Sequence, residues 1–261
     1  MKLVKNWKPV IDKFISKLTE WKSKSLSFGR RLTLLKSVLE NLPTYYLCLF
    51  VAPLSVIEAM EKIRRHFLWG GWEESNRKIH WTLWEKVTTP KELGGLGVIT
   101  LKSFNISLIV KWWWRLRQSP TSYWVKTITG IHKLSARAEN CLSNKALPGV
   151  WNNIANVSKE LIKHNISLNQ VPTRKSTPYG SSWICELTSD GRYATCALRN
   201  KLTNHQPVDS SKFTWVKDFP IKFVCFIWQA KMGSIPSAEA LSNRGVTIDS
   251  KFCKYCGDES V

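Results

Sequence analysis

Acidic side chains are scarce in this sequence. Asp and Glu number 19 against 39 Lys and Arg, which leaves a net charge of +20 over 261 residues. An excess of that size points to a polyanionic partner, most simply nucleic acid. An anionic membrane would be the competing partner, but the cations are spread along the whole chain and do not flank one apolar segment. Long apolar runs are absent as well. The longest, "YYLCLFVAPL" from Tyr45 to Leu54, is interrupted by Pro53 and falls short of the roughly 20 residues a spanning helix needs. The opening "MKLVKNWKPVIDKF" has no apolar signal-peptide core. No membrane partner is expected. The seven Cys form an odd set without framework spacing, which points to a reducing compartment inside the cell, nuclear or cytoplasmic.

The carboxylates that are present do not suit nucleotide transfer. That chemistry needs closely placed carboxylates to hold two metal ions about 4 Å apart. Asp12, Asp190, Asp209, Asp218, Asp249 and Asp258 include no adjacent pair. None sits in a Tyr/Phe-x-Asp-Asp turn between apolar strands, and Asp190 is explained by a turn with Gly191. A phosphate loop of the G-x-x-x-x-G-K-[ST] type is also missing. "GGLG" at Gly94 to Gly97 lacks the Lys-Ser/Thr and reads as a turn. The sequence therefore yields no catalytic residues, and the expectation is that this chain is not an enzyme by itself.

What is present is mostly helical periodicity. Val10, Ile11, Phe14, Leu18 and Trp21 recur at three- and four-residue steps. Ser27 reads as an N-cap, followed by Leu32, Leu35, Val38, Leu39 and Leu42 on one side, with Pro43 as the stop. Ser55 and Glu58 have the spacing of a capping box ahead of Ile57, Met60, Ile63 and Phe67. A further helix runs from about Ser103 to Gln118, with Leu108, Ile109, Trp112, Trp113 and Leu116 inward and Lys111, Arg115 and Arg117 outward. Residues 119–177 are weakly patterned and read as linker. The run "SWICELTSDGRYATCAL" alternates around Asp190-Gly191, a strong hairpin signal. "FPIKFVCFIWQAK" then predicts a helix opened by Pro220, with Phe223, Val224, Ile227 and Trp228 on one side.

Cys253 and Cys256 stand at C-x-x-C spacing near the last residue, with Gly257 directly after. Two thiolates so spaced can share a metal ion, and the glycine lets backbone amides turn toward sulfur. A redox pair is the alternative, but it needs a βαβ context that the pattern lacks. A structural zinc site wants four ligands. Only two are evident here, so zinc is possible at an incomplete site, with a mostly empty knuckle as the expectation.

Several of these stretches together carry a family resemblance. "LSFGRRLTLLKSVLENLPTYYLCLFVAPLSVIEAMEKIRRHFLWGG", "IHWTLWEKVTTPKELGGLGV" and "FNISLIVKWWWRL" resemble the segment after the polymerase core in plant LINE-type (non-LTR) retrotransposon reverse transcriptases. "SDGRYATCALR", "FTWVKDFPIKFVCFIWQAKMGSIPSAEALSNRGV" and "CKYCGDES" are similar to the zinc-binding module of those proteins. The resemblance implies a mainly α fold: a helical thumb- or connection-like region over 1–118, the linker, and a small α+β zinc-binding-like module over 178–261 with one β-hairpin and an incomplete zinc knuckle. It also implies reverse transcription of element RNA, for which the polymerase palm would lie before residue 1. The family's further His and Cys would follow Cys256. The expectation is thus a C-terminal fragment with accessory nucleic-acid binding. A degenerate open reading frame and a protein-interaction module are the alternatives.

The expected contacts to RNA or DNA fall where cations occur without acids. "KSKSLSFGRR" offers Lys22, Lys24, Arg30 and Arg31, and "KWWWRLR" offers Lys111, Arg115 and Arg117. Arg64 and Arg65 join them from the helix before Gly70. Arg77 and Lys78 lie among Trp69, Trp72, Trp81 and Trp84, a mix of cation and aromatic that suits nucleic acid. The 14 Trp have two readings, core packing and base stacking. Binding of this kind is sequence-tolerant, because nothing resembles a groove-entering module.

Overall fold

The computed structural model describes residues 4–21, 26–70, 79–132, 150–177, 180–203, 213–216 and 218–247. The helices are α1 (Lys8–Glu20), α2 (Phe28–Leu34), α3 (Thr44–Leu49), α4 (Leu54–Trp69), α5 (Trp84–Thr88), α6 (Leu101–Gln118), α7 (Tyr123–His132), α8 (Val150–Lys163), α9 (Thr195–Thr203), α10 (Ile221–Lys231) and α11 (Ala238–Ser242). One antiparallel hairpin joins β1 (Thr173–Thr177) to β2 (Gly180–Ile184), with Arg174 opposite Trp183 and Thr173 opposite Ile184. The fold is mainly α with a small β element, as the periodicity and the resemblance implied. Among the described residues no helix is long and apolar enough to cross a membrane. Two compact units are built from interleaved stretches: Met1–Lys13, Glu40–Glu61 and Ile99–His205 form the first, and Phe14–Leu39, Lys62–Val98 and Gln206–Val261 the second.

The first unit is organised around α6. Ile106, Ile109, Val110, Trp113 and Leu116 follow helical spacing and are all buried. They meet Val125 of α7, Trp151, Val157 and Leu161 of α8, and Leu198 and Leu202 of α9 in one core. Residues 119–177 thus include α7, α8 and β1, and several of their apolar side chains lie in that core.

A buried amide ties α6 to the chain after α3. Asn105 is 3% exposed. Its Oδ1 accepts from the Ala52 amide at 2.9 Å, and its Nδ2 donates to the carbonyls of Leu47 at 2.6 Å and Phe50 at 2.8 Å. A backbone N–H can only donate and a carbonyl can only accept, so the partners fix which way the amide faces. Nearby, the Tyr193 hydroxyl donates to the Ser107 carbonyl at 2.6 Å, and burial raises its pKa.

The second unit is organised around the Gly-rich turn. Gly94 has φ +89°, and a Cβ on Gly95 would lie 2.1 Å from the Thr89 carbonyl oxygen, so the turn closes only without side chains. Its carbonyls hold two indoles: Trp215 Nε1 donates to Gly95 at 3.0 Å and Trp228 Nε1 to Gly94 at 2.8 Å. Gly29 lets α2 approach α10 closely, since a Cβ there would sit 3.2 Å from the Lys222 backbone. Arg244 donates to the carbonyls of His80 and Trp81, both at 2.8 Å, and lies over the Trp81 ring at 4.8 Å. His80 meets His66 edge to face at 5.0 Å, and burial, with His66 and Arg65 nearby, holds its pKa below the ordinary histidine value.

Three local expectations need correction. The hairpin pairs Thr173–Thr177 with Gly180–Ile184, not the runs on either side of Asp190-Gly191. There the Asp190 carboxylate accepts from the Arg192 amide at 3.0 Å and the Cys185 amide donates to the Gly191 carbonyl at 2.8 Å. Those bonds close a compact loop after β2, and the residues beyond it coil into α9. Helix α4 opens at Leu54, with the Pro53 carbonyl accepting from Val56 and Ile57, so Ser55 lies inside the first turn and not at its cap. Phe223 and Ile227 of α10 are 51% and 56% exposed, because this helix buries Val224, Cys225 and Trp228 instead. Pro43 marks the start of α3 as well as the end of the preceding turn.

Replacing Asn105 by Ala strands one buried amide and two carbonyls, and is expected to cost roughly 2–4 kcal/mol in urea unfolding. Asn105→Asp should do no better, since its carboxylate would face two carbonyls. For His80 the folded state disfavours the proton more than the unfolded chain does. Its contribution is present above the unfolded value near 6.5 and is lost as pH falls through the lower folded value. Thermal melts between about pH 7.5 and 5 should show Tm falling on acidification, with a shallower fall in His80→Gln.

Candidate nucleic-acid interface

The cations named from sequence divide between the two units. In the first, α6 carries Lys111, Arg115 and Arg117. Arg115 is exposed and lies over the Trp112 ring at 5.4 Å. Trp112 is itself fixed, donating from Nε1 to the Cys48 carbonyl at 2.7 Å and meeting Trp124 edge to face at 5.4 Å. Lys111 is half-buried beside them. Burial raises the Cys48 thiol, while Arg115 and Lys111 pull it the other way, so both charges reach this patch. A rigid, partly open indole pair next to two cations is suited to hold a phosphate and an aromatic ring together.

Arg117 belongs elsewhere. It is 3% exposed and packed between Trp113, at 4.8 Å, and Trp183, at 5.2 Å. The expectation that it faces outward fails because β2 brings Trp183 over it, a contact made by residues far apart in sequence. A planar guanidinium between two indoles gains cation–π attraction while shielded from water.

In the second unit Ser27 caps α2 by accepting from the Arg30 amide at 3.4 Å, and Arg30 points outward. Arg31 turns inward: its Nε donates to the Leu68 carbonyl at 2.8 Å and its Nη1 to the Leu26 carbonyl at 2.7 Å. Arg64 is fully buried, at 6.0 Å from the Trp84 ring, while Arg65 lies half-buried at 5.6 Å from the same ring. Arg64 is therefore corrected from a solvent-facing cation to an interior one. Of the aromatic candidates, Trp69 is buried against Phe28 at 5.3 Å, Trp84 is buried under the arginines, and Trp81 is covered by Arg244. Lys22, Lys24, Arg77, Lys78 and Trp72 lie outside the described residues.

Cys253 and Cys256 also lie outside the described residues. Among the described residues no three His, Cys, Asp or Glu side chains gather as a metal ion would require. Sequence reasoning missed the aromatic cleft at the start of α10, where Phe213, Trp215 and Phe219 meet Lys91. The signal was present in "FTWVKDF", which puts three aromatics and two charged residues within seven positions.

Residues 193–261 match the family described as zinc-binding in reverse transcriptase. A protein of Arabidopsis thaliana, named as a ribonuclease H protein, is 34% identical to this chain over 159 residues. That similarity covers 60% of this chain and 26% of the relative, so the chain spans about a quarter of the protein it matches. The relative is named for an enzyme class, which overturns the expectation that this chain is not an enzyme. Zinc is the metal that the matched family's description brings forward. The two similarities fall on different scales: the family match is confined to residues 193–261, and the relative's resemblance extends over 159 residues.

Proposed function

We propose that this chain binds single- or double-stranded nucleic acid in a sequence-tolerant way, as an accessory part of a retrotransposon reverse transcriptase of the plant LINE type. The observation that carries the proposal is the charge of +20, with Arg30, Lys62 and Arg115 exposed and Lys111 and Arg65 half-exposed. Cations so placed neutralise phosphates and release condensed counterions, which gives affinity without base preference. Arg115 on Trp112 adds a stacking component. The match to a zinc-binding family of reverse transcriptases supports the same partner class. Zinc would engage Cys253 and Cys256 as two of its ligands.

Filter binding at several salt concentrations tests the reading. Six engaged phosphates give a log–log slope of about −4 to −5. Arg30→Gln and Arg115→Gln should each reduce the slope by about one and weaken binding evenly across sequences. Arg117→Gln should behave differently: it lowers Tm by a few degrees through lost stacking and leaves the salt slope unchanged. Weak binding that is flat with salt would rule the proposal out.

A further inference from the structure

We propose that the cleft lined by residues 213–216, Phe219 and the start of α10 is a stacking site for an unpaired base of single-stranded nucleic acid. The inference rests on the nucleic-acid reading above but invokes a different source of affinity. The cleft has a volume of about 520 Å³, within the range of ligand pockets, and its walls include Phe213, Trp215, Phe219, Ile221 and Lys91.

One wall is rigid. Trp215 is pinned by its indole N–H to the Gly95 carbonyl and braced edge-on by Phe213 at 5.2 Å. Phe219, 62% exposed, stands free at the mouth. Lys91 is exposed and holds its ammonium 4.5 Å from the Trp215 ring centre. A base entering the cleft takes over that ring face, and the flexible lysine moves to the flanking phosphate, so the positive charge stays paired. Lys222 stacks on Phe223 at 4.8 Å, one residue after Ile221. Lys36 and Lys91 both act on the buried Cys225 thiol, which burial nevertheless raises to about 11. Against these three lysines stand Glu92, on the lining, and Asp218, next to Phe219. An apolar aromatic slot beside cations fits a base with its phosphate better than a duplex, whose bases are already stacked.

The test uses the full chain with oligomers of roughly 12 nucleotides. The probes are a base-bearing single strand with one 2-aminopurine, an abasic strand of equal length, and a duplex, each as RNA and as DNA. The wild type should quench 2-aminopurine fluorescence. It should prefer the base-bearing strand over the abasic one by about 5- to 150-fold, the equivalent of one stacked base. Phe219→Ala, which removes one of the two flanking rings and leaves Trp215, should cut that ratio several-fold without changing the salt slope. Lys91→Gln, which removes no ring, should keep the ratio and reduce the slope by about one. Equal binding of abasic and base-bearing strands with a steep slope would overturn the cleft while leaving the charge reading intact. No salt-dependent binding would remove both. A Phe219→Ala variant that changes self-association in sedimentation but not the ratio would assign the cleft to protein contact, and so would also overturn the proposal.

Discussion

The constraint on which the rest of this structure depends is a shortage of carboxylates. With 19 acids for 39 Lys and Arg, the cations cannot be served one to one by ion pairs. Aromatic faces and carbonyl oxygens take up much of the load. Arg64 and Arg65 lie on Trp84, Arg117 between Trp113 and Trp183, Arg115 on Trp112, Lys91 on Trp215 and Arg244 on Trp81. Arg31 and Arg244 also donate to backbone carbonyls. The richness in Trp and the richness in cations are thus one property. A Trp face attracts a cation without adding negative charge, so the packing leaves the net charge available to a polyanion.

The same economy of charge shows in how the units are fastened. Within each unit many of the ties are single polar groups and not ion pairs: Asn105 and the Glu40 and Glu61 carboxylates, which accept from the Ile99 and Leu101 amides, in the first, and in the second the Gly94 and Gly95 carbonyls and the Thr82–Ser234 hydroxyl pair. The second set bears on the zinc-binding similarity. Residues 193–261 match that family, yet Trp215, Trp228, Ser234 and Arg244 are anchored to residues 80–95, outside the matched stretch. A piece cut at residue 193 would lose the acceptors for the buried Trp228 and half-buried Trp215 indoles. Such donors without acceptors are costly, so the matched stretch draws stability from the chain before it.

Much of the fold was legible because helical periodicity is a local signal. The faces of α1, α4 and α6 follow from apolar spacing alone, and the Gly-rich turn follows from its composition. What failed was set by distant partners. Arg117 sits on α6 where spacing places a solvent-facing cation, and only β2 supplies the indole that covers it. The alternation around Asp190-Gly191 looked like a hairpin, but the Asp190 side chain satisfies the turn locally and leaves the next residues free to coil into α9. Asn105 carried no pattern at all, because its three partners lie more than fifty residues away. In the candidate site, Arg30, Lys111 and Arg115 were legible as cations, and the cleft was not, since it forms only when residues 213–216 and Phe219 meet Lys91 and Glu92.

Helix α10 shows why the cleft differs from ordinary core. A helix apolar on all sides is normally buried. This one places Val224, Cys225 and Trp228 inside and leaves Ile221, Phe223, Phe226 and Ile227 between 42% and 58% exposed. Folding alone gives no reason to keep such residues in water, because they add nothing to a core they do not touch. Charge alone would give affinity for any polyanion, folded or not, and would not distinguish a paired strand from an unpaired one. Exposed rings beside lysines supply that distinction, since only an unstacked base has a face to offer. In the proposed stacking site Phe219 and Ile221 would meet a ligand with both phosphates and free bases, and the two contributions would separate because salt screens one and not the other.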